Sequence, residues 1–474
     1  MNLSIPLTPW IVGLAGIFVW GHLNARVVVA NEWIGSSSCA SATCHGGTVG
    51  RGPAWNHSYS LSRSADPHST SGALLYDTDS RRIVAALSPD AKSDNDYDIV
   101  LRQRCISCHL TAKPEDIIST SRLDPQQVGE GVSCESCHGP AGAWLQPHVL
   151  ESWKGEMRFQ PQTGLLDTES LVGRAEGCVR CHVGSRIADG MVRDMNHDLI
   201  AAGHPALRFD LLTYCDNMPH HWNDFGEVEN KFSESALRIR TVGRSIALMA
   251  AARLSAERAL DSQSNTSSSS ITANVPWPEL SDFDCFGCHQ SLSPRSYRPP
   301  SNVVGKPSLQ ISDGLPLWNA WYTSSDVSGS DSPLWQFRAK PSGQADWLTA
   351  ATEISDLLRQ KAISETTAPA PDALKRIGEI RANISKRAPN DWNAAARIYL
   401  ELEAAARDIS SKTPTRALGQ NLSRSLEITV APMLRFTGSD GAVDSRTRSP
   451  QNFDPLAFRI QTIKALDTLD ATQP

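Results

Sequence analysis

Cys134-Glu135-Ser136-Cys137-His138 is the stretch whose reading decides this chain. Two cysteines separated by two residues, with histidine directly after the second, form the attachment signature of a c-type haem. The reason is geometric. The two thiols add across the vinyl groups on one edge of a porphyrin, and the adjoining imidazole is then held beneath the iron. Cys105-Ile106-Ser107-Cys108-His109, Cys178-Val179-Arg180-Cys181-His182 and Cys285-Phe286-Gly287-Cys288-His289 repeat the pattern. A fifth variant, Cys39-Ala40-Ser41-Ala42-Thr43-Cys44-His45, has a wider loop that can bridge the same vinyl pair by bulging outward.

With 11 Cys and 13 His in 474 residues, about 0.3 Cys-His dipeptides are expected at random, against five present, each with a partner Cys upstream. Zinc is the competing meaning of paired Cys and His. A zinc finger, however, needs two ligand pairs per metal and rarely sets His directly against Cys. The motifs therefore predict five haem c groups. Cys39, Cys44, Cys105, Cys108, Cys134, Cys137, Cys178, Cys181, Cys285 and Cys288 would carry the thioethers. His45, His109, His138, His182 and His289 would be the proximal iron ligands. Cys215 is left over and reads as a buried, unreactive thiol.

The net charge of −6 and pI near 6.1 give no electrostatic footprint for nucleic acid. The length suggests two to three domains. The 13 Trp are suited to packing against macrocycles, although ordinary core and surface roles serve for most of them.

The apolar run from Trp10 to Trp20 is short for a bilayer span and fits a signal-peptide core. No Lys or Arg precedes it, which departs from the usual basic start. Residues 1–30 thus read as a signal peptide cleaved after Ala30 or, failing cleavage, as an N-terminal anchor. Covalent haem attachment follows export, so a periplasmic location is expected, with membrane association through the N-terminus as the alternative.

Residues 31–300 are polar, broken by Gly and Pro, and carry all five motifs. Haems supply apolar interior that side chains otherwise would. Helical patches are expected at Thr70–Tyr76, Ser80–Leu87, Tyr97–Cys105 and Glu169–Cys178, with a long amphipathic helix over Ser233–Leu260. His197 and His204 lie two helical turns apart, but Gly203 and Pro205 argue for a break near the second. Ser262–Asn274 is a Ser-rich linker or exposed loop. Residues 301–474 have neither Cys nor His and predict helices at Gln344–Ala362, Pro371–Lys386, Asp391–Ile409, Thr415–Thr437 and Pro455–Leu469. The expected fold is mainly α with much irregular structure: a multihaem cytochrome c core wrapped around stacked haems, then a haem-free α-helical domain.

Removing the five proximal histidines and His22 leaves His57, His68, His148, His197, His204, His220 and His221. All seven lie within the haem-bearing region, which favours distal iron ligation over scattered surface roles. Met157, Met191, Met195 and Met218 are possible distal ligands that would raise the potential. Histidine supply is ample, so bis-His ligation is the better expectation.

Further phrases carry a resemblance: Cys44-His45-Gly46-Gly47, Asp66-Pro67-His68, Gly131 to Pro140, Pro147-His148, Asn196 to Pro205, His221-Trp222 and Asp284 to His289. From about Ser38 to Leu292 the chain resembles the cytochrome c-554 family of exported multihaem cytochromes, especially larger relatives with a helical tail. The resemblance implies an irregular, mainly helical fold around closely stacked haems and electron relay in periplasmic nitrogen or respiratory metabolism. It nominates His68, His148, His197, His204 and His221 as distal ligands, with His57 and His220 left over.

The resulting expectation is an exported electron carrier. Its partners would be other redox proteins or a membrane quinol-oxidising complex, and its tail a docking or oligomerisation surface. The alternative is a multihaem oxidoreductase of the nitrite, hydroxylamine or tetrathionate type with one five-coordinate haem. Arg174, Arg180, Arg186, Arg193 and Arg208 could line an anion pocket there, but no motif with Lys as proximal ligand is present. A third idea is a structural subunit whose tail recruits it to a larger respiratory assembly.

Overall fold

The computed structural model describes residues 32–153, 155–186, 190–221, 235–263, 277–283, 285, 320–322, 344–389, 392–435 and 453–469. The rest, including the N-terminal segment 1–30, most of the Ser-rich linker, Cys288 and His289, lies outside the described residues. The described chain is mainly helical, with an isolated bridge between Ser185 and Arg193. No helix among these residues is long and apolar enough to cross a membrane.

Short helices carry the first half of the chain. They are α1 Ser58–Ala65, α2 Ser71–Leu74, α3 Thr78–Leu87, α4 Asp94–Arg104, α5 Ile106–His109, α6 Pro114–Ile118, α7 Pro125–Glu130 and α8 Cys134–His138. Their starts follow from the local sequence. Ser93 caps α4 by accepting from Asp96 N, and the Asp96 carboxylate returns the bond to Ser93 N. Asp77 and Asp124 cap α3 and α7. Leu75, Val84, Val100, Leu101, Ile106 and Leu110 form a small interior among α2 to α5. Arg102 ties it to the following loop, donating to the carbonyls of Asp116, Ser121 and Arg122 at 2.7, 3.0 and 2.9 Å.

A second interior surrounds α9 Leu171–His182, α11 Leu211–Asn217 and α12 Ala236–Gln263, with α10 His197–Ala201 lying on the loop between α9 and α11. The 28-residue α12 continues past the Leu260 boundary into the start of the Ser-rich stretch. Val242, Ile246, Leu248, Ala252 and Ala259 are buried along it, and so are Arg240 and Arg258, whose charges are met by Asp210 and by Asp194 and Asp282. α13 Gln344–Thr367 packs along it, joined by α14 Ala373–Lys386, α15 Trp392–Ser410, α16 Arg416–Thr429 and α17 Pro455–Asp467. Asp408 on α15 caps α12 across the fold, accepting from Ala236 N at 2.7 Å and Leu237 N at 3.2 Å.

α16 stops short of the expected Thr437. Pro432 lacks an amide hydrogen and disfavours helix before it, so the chain passes into a single 3-10 turn, Ala431–Leu434.

Candidate haem centres

Helical spacing gives the second, third and fourth motifs a common face for a flat cofactor. In Cys105 to His109, and again in Cys134 to His138, the two cysteines are three residues apart on a helical turn, with His one residue further along. Residues three and four apart share a face, so two sulfurs and an imidazole point to one side. The third motif ends at Gly139, whose φ is +83 and where an added Cβ would lie 2.1 Å from the Gly164 carbonyl oxygen. Only glycine turns the chain away there. In the fourth motif α9 runs through to His182 and ends with it. The first motif starts on a 3-10 turn, Ser36–Cys39.

Glu135, between the two cysteines of the third motif, is buried and accepts three backbone N–H groups. These are Ile34 at 3.1 Å, Gly35 at 2.8 Å and Ala141 at 2.8 Å. The segment leading into the first motif is thereby fastened to the third. The Cys39 thiol lies beside Cys134, and the Cys108 thiol beside Cys181. Cys137 lies within electrostatic reach of Cys178 and Cys181. Motifs one and three, three and four, and two and four therefore adjoin.

The structure sets four motif imidazoles opposite imidazoles from elsewhere. His45 meets His148 with ring centroids 6.3 Å apart, His68 meets His182 at 6.0 Å, His109 meets His204 at 6.3 Å, and His138 meets His221 at 6.3 Å. An iron between two imidazoles, with bonds of about 2 Å to nitrogens about 1.1 Å from their ring centres, sets the centroids about 6.2 Å apart. The four spacings match that requirement. By contrast, no group of three or more His, Cys, Asp or Glu converges to hold a metal ion among the described residues, which disfavours a tetrahedral zinc site there.

The Nδ1 atoms of seven of these eight rings have partners. Nδ1 of His45 lies 2.7 Å from the Trp55 carbonyl oxygen, Nδ1 of His109 3.2 Å from that of Ser71, and Nδ1 of His204 2.9 Å from that of Pro205. His221 uses Pro219 O at 3.3 Å and His148 uses Leu145 O. A carbonyl can only accept, so Nδ1 carries the hydrogen and Nε2 keeps its lone pair for the facing side. Asp66 holds His68 in the same sense at 2.9 Å, and Thr168 contacts His138 Nδ1 at 3.2 Å.

Burial pushes His138 and His182 down to about 4, and lowers His109, His204 and His221 as well. These rings are neutral at ordinary pH, the form able to bind a metal. His68 is raised instead, by its hydrogen bond to Asp66. Burial likewise raises the Cys137 thiol to about 11 and the Cys105 thiol to about 12. A neutral thioether suits such surroundings better than a thiolate.

His197 opens α10, where Asn196 caps the helix and the Glu279 carboxylate accepts from His197 N at 2.8 Å. The break expected near His204 is present: α10 ends at Ala201 and Gly203 takes φ +116. His57 faces no motif histidine among the described residues, and its buried Nδ1 has no hydrogen-bond partner. Cys215 is buried in the second interior. Two contributors carry no motif signal. Glu135 occupies a variable motif position, and Phe209 lies against His182 with centroids 6.0 Å apart and planes 16° from parallel.

Residues 39–139 match the family described as cytochrome c554 and c-prime, a span that contains three of the five motifs. Among curated proteins and among solved structures nothing matches the chain. With its mainly helical fold, its Cys-His motifs and this match, the chain is a c-type cytochrome with covalently bound haem, and its segment 39–139 is similar to the cytochrome c554 family.

Proposed function

We propose that this cytochrome is an exported electron-transfer protein carrying five haems, each iron held between two imidazoles. The observation that carries the reading is the set of four His–His pairs at 6.0–6.3 Å. The assignments are His45 with His148, His109 with His204, His138 with His221 and His182 with His68. The fifth proximal ligand, His289, lies outside the described residues, and His197, the nominated distal histidine that the four pairs leave unassigned, is its partner in this reading. Two contacts support that choice: Glu279 holds His197 N, and Arg258 pairs with both Asp194 and Asp282. These links fasten the segment before the fifth motif beside His197.

When bound, the haems supply one-electron carriers. Burial keeps His109, His138, His182, His204 and His221 neutral, and carbonyl acceptors at Nδ1 fix the tautomers of His45, His109, His148, His204 and His221. Haems held between these imidazole pairs would leave no iron open to substrate, which favours relay over catalysis. The oxidoreductase alternative requires an open iron, and this pairing leaves only the fifth haem for one. The adjoining motifs support a path in the order one, three, four, two, different from their order in sequence. The donor or acceptor would be another redox protein or a membrane quinol-oxidising complex.

Haem quantification by intact mass, beside EPR of the oxidised protein, tests the reading. Five covalent macrocycles and low-spin signals alone are the expected result. A mass short of five, or an axial high-spin signal in undamaged protein, would overturn it.

A further inference from the structure

We infer that a cavity between α12 and the C-terminal helices is a binding site for a small oxyanion of the phosphate or sulfate type. The cavity has a volume of about 90 Å³, several times what one water needs. Arg240 and Arg244 enter from α12, Lys361 from α13, Arg376 from α14 and Arg397 from α15. Asp210 and Glu401 are the acidic residues on the wall, leaving an excess of positive charge.

Both carboxylates are already engaged. Glu401 contacts Arg376 Nε at 2.6 Å and Arg244 Nη1 at 3.4 Å. Asp210 lies 2.8 Å from Arg240 Nη1 and also caps α11 through Thr213 N at 3.1 Å. The cations nonetheless keep unused donors. Arg240 has a side chain only 3 % exposed, yet its Nε has no hydrogen-bond partner, and neither has the buried Nη2 of Arg244. A buried guanidinium donor without an acceptor is costly, and an oxyanion is the group that satisfies several such donors together. Burial and the like charge of Arg244 also hold Arg240 below its usual value, consistent with a local shortage of negative charge.

The position links the site to the redox centre. Phe209 lines the cavity and lies against His182, while Trp321 Nε1, on the same wall, donates to the Phe209 carbonyl at 3.0 Å. An anion held here would sit behind the proximal imidazole of the fourth motif.

The test is calorimetric titration of the haem-loaded, full-length protein with inorganic phosphate and with sulfate, against chloride at matched ionic strength. One saturable site is expected for an oxyanion and none for chloride. Arg244→Gln and Lys361→Gln should each weaken binding at least about tenfold, or about 1.4 kcal/mol, with an unchanged Soret spectrum. Arg240→Gln is a poorer probe, because it would strand Asp210. Absence of saturable oxyanion binding, equal binding of chloride, or undiminished affinity in both variants would overturn the inference.

Discussion

Glu279 Oε1 accepts a hydrogen bond from the backbone N–H of His197 at 2.8 Å, so the segment leading to the fifth motif is fastened to the first turn of α10. If His197 closes the fifth iron, His197→Ala should turn one haem's worth of low-spin EPR intensity into a high-spin signal, with the covalent haem count unchanged. His57→Ala, by contrast, should leave the spectrum as it was. An entirely low-spin His197→Ala protein would remove His197 from the ligand set.

The His45 and His148 rings are nearly parallel, at 17°, whereas the other three pairs cross at 66°, 84° and 67°. Parallel imidazoles donate π density to the same iron d orbital and split the pair, while crossed rings leave it nearly degenerate. Oxidised protein should therefore show one ordinary rhombic low-spin species from this pair, beside broad, strongly anisotropic species from the others. His148→Ala should delete that rhombic component. Its survival would show that the 45/148 assignment is mistaken.

Glu135 satisfies three amides from a buried position. Glu135→Ala leaves those donors without their acceptor, at a cost of about 2–4 kcal/mol. The variant should unfold at lower denaturant concentration, and its chain near Ile34 should become sensitive to protease. Equal protease resistance in the two proteins would show that the clamp is dispensable.

Burial pushes Asp282 up to about 6, outweighing the neighbouring Arg258, whereas its ordinary value is 3.8. The folded state thus binds this proton more readily than the unfolded chain. Its stabilising contribution is complete below the ordinary carboxylate range and is lost as pH rises through about 6. Asp282→Asn should remove up to about 3 kcal/mol of pH-dependent change between about pH 4 and pH 6. Unfolding midpoints measured across that window would refute the assignment if both proteins gave the same slope.

The cysteine pairs and the histidines beside them stand out in the sequence because the attachment chemistry they would serve is local, contained in five or seven consecutive residues. Partner choice is not local. Nothing near His57 distinguishes it from His148, yet the fold sets His148 against His45 and gives His57 no such neighbour among the described residues. Periodicity placed the C-terminal helices, while the end of α16 depended on Pro432. The role of Glu135 was hidden because its three amide partners come from two separate segments. The Arg240 cavity is assembled by helices far apart in sequence, so only the folded chain brings its charges together.

The carboxylate that completes the first turn of α12 comes from Asp408, 172 residues downstream of Ala236. A chain emerging from its amino end therefore presents all its cysteine pairs before that cap exists. The scaffold's longest helix waits for the last third of the polypeptide, so the haem-attachment machinery would meet the motifs on a still-open chain. Slowing the delivery of the tail should prolong that interval rather than shorten it.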